Sequence, residues 1–242
     1  MDQSSLVINL SDISFTYPDS RPVLNKVNLQ VRKGERLGLI GPNGSGKTTL
    51  FHVIMGLLKP SSGNIEIFGR PVKEEKDFRS VREKIGLLFQ DADDQLFSPT
   101  VLEDVAFGPL NLGKSQDKAR DIACKTLDLL GLSGFEDRIT YKLSGGEKKL
   151  VSLATVLAMG PEILLLDEPT GGLDEATKTK LMEVLKSLDL TYILISHEMD
   201  FLWQTTDCMY AMQNGEVVTD DEICLHPHYH RHPHGSAPHK HE

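Results

Sequence analysis

The chain has 242 residues, 39% of them hydrophobic, and a formal net charge of -9 at pH 7. This length suits one large domain with a buried core, and no stretch nears the roughly 18 consecutive apolar residues that a membrane-spanning helix needs. The negative charge disfavours binding to nucleic acid through phosphates, and Cys124, Cys208 and Cys224 predict neither a disulfide framework nor a zinc site. Such cysteine usage fits a reducing cytoplasm.

The first forty residues predict strands. Between Leu6 and Val31 apolar residues alternate with polar ones around a proline-bounded turn, which predicts an antiparallel sheet. Leu37 to Ile40 is a short apolar run and predicts a buried strand. Thr48 to Leu58 has helical length before a Pro-Ser-Ser-Gly stop, so a helix is expected there.

A glycine-rich loop between that strand and that helix fits the pattern G-x-x-x-x-G-K-[ST]. In this pattern backbone amides and a helix N-terminus wrap a polyphosphate. We expect Lys47 to reach the β- and γ-phosphates of a nucleotide and the Thr48 hydroxyl to bind Mg²⁺. The predicted nucleotide-binding residues of this loop are Gly41, Pro42, Asn43, Gly44, Ser45, Gly46, Lys47, Thr48 and Thr49.

The middle of the chain predicts a parallel sheet with a helical insertion. Short apolar runs at Ile85 to Phe89, Ile163 to Leu166 and Tyr192 to Ile195 are typical of strands covered on both faces. From Val101 to Leu143 the pattern becomes helical, so we predict an inserted lobe over about residues 95–150. Asp167 ends a predicted strand, where its carboxylate is expected to hold Mg²⁺.

Ser144, Gly145, Gly146 and Glu147 begin a further predicted helix, from Lys148 to about Met159. The spacing S-x-x-E by itself indicates only a capping box. A helix N-terminus with two glycines is also a site for an anionic phosphate, and both interpretations stay open from the residues alone.

The phosphate loop, the run from Leu143 to Glu147 and the acidic strand end occur in the order that resembles the ATP-binding cassette family, over nearly all of residues 5–215. The resemblance implies an α/β fold over residues 5–222: a phosphate-loop NTPase with a mixed or parallel sheet core, an N-terminal antiparallel β subdomain and an inserted helical subdomain. It also implies that two cassettes clamp two ATP molecules head to tail. Because every motif is intact, a homodimer is expected, with a heterodimer of related cassettes as the alternative.

The same resemblance implies roles for individual residues. Glu168 would activate the attacking water, Gln90 would sense this water and the metal, and His197 would contact the γ-phosphate. Tyr17 would stack on adenine, and Asp174 would lie in the loop through which two subunits communicate. Ser144, Gly145, Gly146 and Glu147 would face the γ-phosphate held by the opposite subunit, although the family's commonest residue at position 147 is Gln.

The cargo is indicated by two further segments. Gln90 to Thr100, followed by Glu103 to Pro109, resembles the ATPases of energy-coupling-factor importers, especially the cobalt and nickel type. This implies integral membrane partner subunits and a peripheral place at the cytoplasmic face of the membrane. The tail, residues 223–242, can bury almost nothing and is expected to be disordered. Its alternating imidazoles suit Ni²⁺ or Co²⁺, and they are His226, His228, His230, His232 and His234.

Three alternatives remain at this stage. The chain could energise uptake of another small nutrient such as a vitamin, with the tail incidental or partly a cloning addition. It could drive a soluble process such as DNA repair or translation, although such relatives usually carry two cassettes or a coiled-coil insertion. It could also buffer metal through its tail, which would leave the ordered ATPase matches unexplained.

Overall fold

A computed structural model describes residues 6–218. Its strands form two sheets, and its helices cover the larger sheet and build a lobe beside it. In chain order the elements are β1 (Leu6–Thr16), β2 (Pro22–Arg32), β3 (Arg36–Ile40), α1 (Lys47–Ile54), β4 (Ser62–Ile67), β5 (Arg70–Pro71), α2 (Glu75–Arg82), β6 (Ile85–Leu88), α3 (Val101–Asn111), α4 (Gln116–Leu129), α5 (Gly145–Leu157), β7 (Ile163–Asp167), α6 (Glu175–Ser187), β8 (Thr191–Ile195), α7 (Met199–Thr205), β9 (Cys208–Gln213) and β10 (Glu216–Val218).

The smaller sheet is antiparallel and has the strand order β2-β1-β4-β5. Leu10 of β1 lies opposite Leu29 of β2 and Ile65 of β4, and all three side chains are buried. Alternation along a strand sends every second side chain to one face, so one apolar face packs into the core. The predicted N-terminal antiparallel sheet is therefore confirmed.

The larger sheet has the order β10-β9-β3-β8-β7-β6, and neighbouring strands from β9 to β6 run parallel. Strands β6, β7 and β8 are buried along their whole length, which explains their continuous apolar runs. Parallel strands present their carboxyl ends at one edge, where ligands bind in open α/β sheets. The residues that follow β3, β6, β7 and β8 consequently meet there, and the predicted α/β class is confirmed.

Helices α3, α4 and α5 lie in sequence between β6 and β7. Val105, Leu127 and Val151, one from each helix, belong to the same buried apolar cluster. That cluster also includes Leu164 of β7, so the lobe and the larger sheet share part of a core. None of the helices between residues 6 and 218 is both long and apolar enough to span a bilayer.

Two predicted helix boundaries were wrong. Helix α1 ends at Ile54 rather than Leu58, because Gly56 takes a positive φ of 67° and the amide of Leu57 bonds back to the carbonyl of His52. Helix α5 begins at Gly145 rather than Lys148, because Ser144 is its N-cap and accepts a hydrogen bond from the Glu147 amide. Gly145 and Gly146 therefore lie in the first turn of α5.

Candidate functional site

The phosphate loop joins β3 to α1 and depends on glycine at two crowded places. A Cβ atom on Gly41 would lie 2.1 Å from the carbonyl oxygen of Met212, and one on Gly46 would lie 2.8 Å from that of Val23. Gly46 also has a φ of 106°, which L side chains rarely adopt. Larger residues at these positions would displace the loop, so the glycines set its path over the start of α1.

Lys47 is the first residue of α1 and points back over the loop. Its Nζ donates to the carbonyl oxygens of Gly41 and Pro42, at 2.7 and 3.1 Å. Burial lowers the pKa of this ammonium, although Glu168 and Asp167 oppose the shift. Helix α1 has no side-chain cap and no acidic residue in its first turn. Uncapped amides and an ammonium at one helix end form an anion site.

Thr48 and Asp167 meet at the floor of this site. The Thr48 hydroxyl donates to Asp167 Oδ2 at 2.7 Å, and Asp167 is only 2% exposed at the end of β7. The other oxygen, Oδ1, is buried and lacks a hydrogen-bond partner among residues 6–218. Burial raises the pKa of this carboxyl, while the Thr48 hydrogen bond lowers it. A hydroxyl beside an unpartnered carboxylate oxygen fits the oxygen ligands that Mg²⁺ prefers.

Glu168 follows Asp167 in a strained backbone conformation, with a φ of 48°. Its amide donates to the Ile195 carbonyl at 3.0 Å, which fastens the turn to the end of β8. Glu168 Oε1 lies 3.3 Å from His197 Nε2, and the same nitrogen is 3.0 Å from Asn43 Oδ1. Burial raises the pKa of the Glu168 carboxyl, and the nearby His197 lowers it. A half-buried carboxyl beside an imidazole is suited to accept a proton from water.

One cavity of about 420 Å³ brings together eleven of the predicted nucleotide-binding, catalytic and metal-binding residues. Tyr17 lies at its rim, is 38% exposed, and has its hydroxyl 3.4 Å from the Thr49 hydroxyl. The Phe15 ring packs against Tyr17 edge to face, with centroids 4.8 Å apart, and thereby helps to fix the tyrosine ring at the rim. The lining includes Tyr17, Asn43, Gly44, Gly46, Lys47, Thr48, Thr49, Gln90, Asp167, Glu168 and His197.

The run from Ser144 to Glu147, here called the signature, is not brought to that cavity. Among residues 6–218 its lining includes no member of the run from Ser144 to Glu147. Gly145 instead borders a separate cavity of about 250 Å³, together with Gln90, Gly171 and Gly172. Asp174, just after these last glycines, caps α6 by accepting a hydrogen bond from the Thr177 amide at 2.8 Å. A single chain therefore holds the two predicted phosphate sites apart.

Glu147 carries a partner that sequence reasoning missed. Its Oε2 accepts the Ser144 amide at 2.8 Å, and its Oε1 pairs with Arg138 Nη1, also at 2.8 Å. The Ser144 amide is the main cause that lowers the pKa of this carboxyl. Arg138 also lies over the Phe135 ring, with 3.6 Å between guanidinium carbon and ring centroid. The acidic residue that replaces the family's usual Gln is thus charge-compensated.

Lys149 is another residue of the site that sequence reasoning did not identify. It is 4% exposed, and its Nζ donates to the carbonyl oxygens of Phe89 and Gln90, at 3.1 and 2.6 Å. Burial lowers its pKa, and Asp167, Asp91 and Glu168 oppose that shift. No pattern in the sequence marks which lysine of the Lys148-Lys149 pair is buried.

The predicted metal-binding residues of the tail lie outside the described residues; they are His226, His228, His230, His232 and His234.

The profile of a family described as "ABC transporter" matches residues 24–171. A "Putative ABC transporter ATP-binding protein" of Nitratidesulfovibrio vulgaris is 51% identical, over 97% of this chain and 86% of the relative. An "Energy-coupling factor transporter ATP-binding protein EcfA" of Methanothermobacter thermautotrophicus is 44% identical, over 88% of this chain and 70% of the relative.

Solved structures are similar as well. The structure of cbiO1 from Clostridium perfringens, described as part of the ABC transporter complex cbiONQ, has a TM-score of 0.79 at 36% identity and covers 89% of this chain and 88% of that one. A dimeric post-hydrolysis state of the cassette MJ0796, bound to ADP and Pi, has a TM-score of 0.80 at 30% identity and covers 87% and 96%.

Proposed function

The chain belongs to the ABC transporter family of ATPases, and we propose that, within an energy-coupling-factor importer, it powers the uptake of cobalt or nickel ions. The observation that carries the proposed catalytic site is the convergence of Lys47, Thr48, Asp167, Glu168 and His197 on one cavity. The cargo rests on the resemblance of residues 90–109 and on the histidines of the tail.

ATP binding starts at the phosphate loop. Lys47 exchanges the Gly41 and Pro42 carbonyls for phosphate oxygens, which pair with its charge more strongly than neutral carbonyls do. The uncapped amides of α1 surround the same phosphates. Tyr17, partly exposed at the rim of the cavity, offers an aromatic ring on which adenine stacks.

The metal fits the floor of the site. Thr48 and Asp167 would hold Mg²⁺, which neutralises charge on the β- and γ-phosphates when it is bound. The unpartnered Asp167 Oδ1 is the oxygen that this ligand would satisfy. Gln90, which follows β6, lines the same cavity and would contact the metal and the attacking water.

Hydrolysis uses the two residues that follow β7 and β8. Glu168 accepts a proton from the attacking water, and the raised pKa of its carboxyl makes it a stronger base than an exposed glutamate. His197 Nε2 lies 3.3 Å from Glu168 Oε1 and 3.0 Å from Asn43 Oδ1 of the phosphate loop, so His197 is placed to contact the γ-phosphate. Glu168 lines the cavity, and its strained backbone, with a φ of 48°, marks a position that is held for function.

A second copy of the cassette completes each site. Because Ser144 and Gly145 lie away from the phosphate-loop cavity of their own chain, their helix N-terminus is free to receive the γ-phosphate bound by a partner. The intact motifs favour a homodimer over a heterodimer of related cassettes. ATP then favours the closed dimer, since both phosphate sites are complete only there, and hydrolysis reopens it.

The membrane partner docks beside the helical lobe. An apolar groove is lined by β6, α3, α5 and the residues that follow α1. Its lining includes the exposed Phe97 and Phe107, whose rings meet edge to face with centroids 4.8 Å apart. Exposed aromatic pairs are frequent anchors of protein interfaces. Docking here places the chain at the cytoplasmic face of the membrane and connects transport to Gln90, a few residues before Phe97.

Uptake measurement tests the cargo directly. Cells that produce the full chain with its cognate membrane subunits should accumulate labelled Co²⁺ or Ni²⁺ from the medium, and cells carrying Glu168→Gln should not. Uptake of a vitamin but neither metal would favour the alternative importer. ATP hydrolysis without transport of any of these nutrients would overturn the proposal.

The tail is tested separately. Calorimetry compares the full chain with a version ending at residue 222, using Ni²⁺ and Co²⁺ as titrants at pH 7.5 and at pH 5. We expect binding only in the full chain and only at the higher pH, because protonated imidazoles do not ligate metals. Equal binding by the two versions would rule out the tail as the metal site.

A further inference from the structure

Lys149 is a buried cation whose hydrogen bonds go to backbone carbonyls rather than to a carboxylate. Its side chain is 4% exposed, and Nζ contacts the oxygens of Phe89 and Gln90 at 3.1 and 2.6 Å. Removing an ammonium from water costs several kcal/mol or more in real proteins. Two carbonyls and the more distant Asp167, Asp91 and Glu168 offset this cost only in part, since burial remains the dominant influence on the pKa of Lys149.

The same stretch of backbone is held from a second direction. Gln95 Oε1 accepts a hydrogen bond from the Phe89 amide at 3.2 Å. Its Nε2 donates to the Ser152 carbonyl at 2.9 Å and to the Thr155 hydroxyl at 2.8 Å, both on α5. The amide and the carbonyl of Phe89 are therefore both connected to α5. Lys149 alone among these contacts reaches the backbone of Gln90.

Helix α5 also carries the signature at its N-terminus. Ser144 caps this helix, and Lys149 lies little more than one turn later. A hydrogen bond of 2.6 Å from Lys149 thus links the backbone of Gln90 directly to the helix that carries the signature. Neighbouring Lys148 has no such link, because its Nζ pairs with the exposed carboxylate of Asp93 at 2.6 Å.

We propose that Lys149 is a positioning residue, which fixes Gln90 to the signature helix so that closure on ATP sets Gln90 against the metal and the attacking water. The inference rests on the proposed roles of Gln90 and Ser144. Among residues 6–218 the lining of the phosphate-loop cavity includes Gln90 but not Lys149. Lys149 therefore acts on that cavity through the Gln90 backbone, to which its Nζ donates.

The test measures steady-state ATP hydrolysis by the full chain. Lys149→Met fills the same space without donors, and we expect kcat to fall about 10- to 100-fold while the KM for ATP stays within about twofold. Lys149→Arg keeps the charge and the donors and should restore most of kcat. Lys148→Met, the matched control, removes an ammonium from the adjacent residue and should leave kcat near the wild-type value.

A double-mutant cycle separates positioning from general stability. If Lys149 acts through Gln90, then Gln90→Ala and the double variant Gln90→Ala with Lys149→Met should have the same kcat. Multiplied losses would show that Lys149 supports the fold instead, and would overturn the proposal. Should Lys149→Met fail to fold, Lys149→Gln replaces it, because its shorter amide stays polar but cannot bridge both carbonyls.

The outcomes distinguish this inference from the function on which it rests. If Gln90→Ala is as active as wild type, the proposed role of Gln90 is wrong. If Gln90→Ala is impaired while Lys149→Met matches wild type, only the positioning role of Lys149 is refuted.

Discussion

Replacing Glu168 with glutamine should stop ATP turnover and at the same time stabilise the folded chain. The side chain is 18% exposed, and its Oε1 is buried without a hydrogen bond among residues 6–218, although His197 Nε2 is 3.3 Å away. Glutamine has nearly the same shape but cannot accept the proton of the attacking water. Loss of a general base lowers kcat about 10²- to 10⁴-fold, which corresponds to about 2.7–5.4 kcal/mol in the activation free energy.

The stability effect follows from the same burial. A buried carboxylate oxygen without a full hydrogen-bond partner lowers the free energy of unfolding by about 1 kcal/mol, after allowance for the nearby imidazole. Replacing this charged oxygen with a neutral amide should raise Tm by about 2–4 °C for a chain of this size. Burial raises the pKa of Glu168 above its ordinary value of 4.5. The folded state therefore binds the Glu168 proton more tightly than the unfolded state does. The stability that this proton contributes is fully present at low pH and is lost as pH rises through the folded pKa.

Calorimetric unfolding at pH 5 and pH 8, with a phosphate-release assay, checks both effects. The difference in Tm between Glu168→Gln and wild type should be larger at pH 8 than at pH 5. Glu162→Gln is the matched control, since its carboxylate is 52% exposed and pairs with Lys84 at the surface, so changes should stay within about 0.5 kcal/mol. Turnover above a tenth of wild type, or a lower Tm at pH 8, would refute the assignment.

Two further predictions concern surfaces. Phe97→Ser should leave ATP hydrolysis by the isolated chain unchanged. It should weaken binding to the membrane subunits about tenfold or more, measured by co-purification, because about 1.5–3 kcal/mol from burial of the aromatic ring is lost. Equal recovery of the complex would contradict docking at this groove. Arg138→Ala should reduce ATP-driven dimerisation in a light-scattering assay, because it leaves the Glu147 carboxylate uncompensated beside the partner's phosphate. Adding Glu147→Gln should then restore dimerisation, and a double variant as weak as Arg138→Ala would argue against charge compensation.

The parts of the fold that the sequence predicts are those with local signals. Strands β6, β7 and β8 are buried on both faces, so their apolar runs are continuous and easily recognised. The phosphate loop is predicted because its glycines stand at positions where a Cβ atom would clash with neighbouring backbone. Helix α2 gives a weak signal, since only Phe78 and Val81 are buried among its charged residues. Strand β9 depends on pairing with β3, far away in sequence, and short local patterns do not predict such a contact.

The candidate site shows the same division. Lys47, Thr48 and Asp167 stand in motifs whose chemistry requires them, and the structure places them together. Lys149 lies in a run of charged residues that is typical of a solvated helix face. Its burial depends on carbonyls 59 and 60 residues earlier in the chain, at the end of β6. Only the packing of α5 against that strand end distinguishes Lys149 from Lys148.

The central claim is that ATP is held between the phosphate loop of one copy and the signature helix of another. Light scattering of the Glu168→Gln chain tests this claim, because it measures the mass of the particle in solution and one copy has a mass of 26.9 kDa. We expect a monomer with ADP and a doubled mass with ATP and Mg²⁺. Gly145→Asp in the same background should stay monomeric, because a Cβ there meets open space in the fold while the added carboxylate repels the partner's γ-phosphate. A monomer at saturating ATP, or a Gly145→Asp chain that still dimerises, would contradict the account.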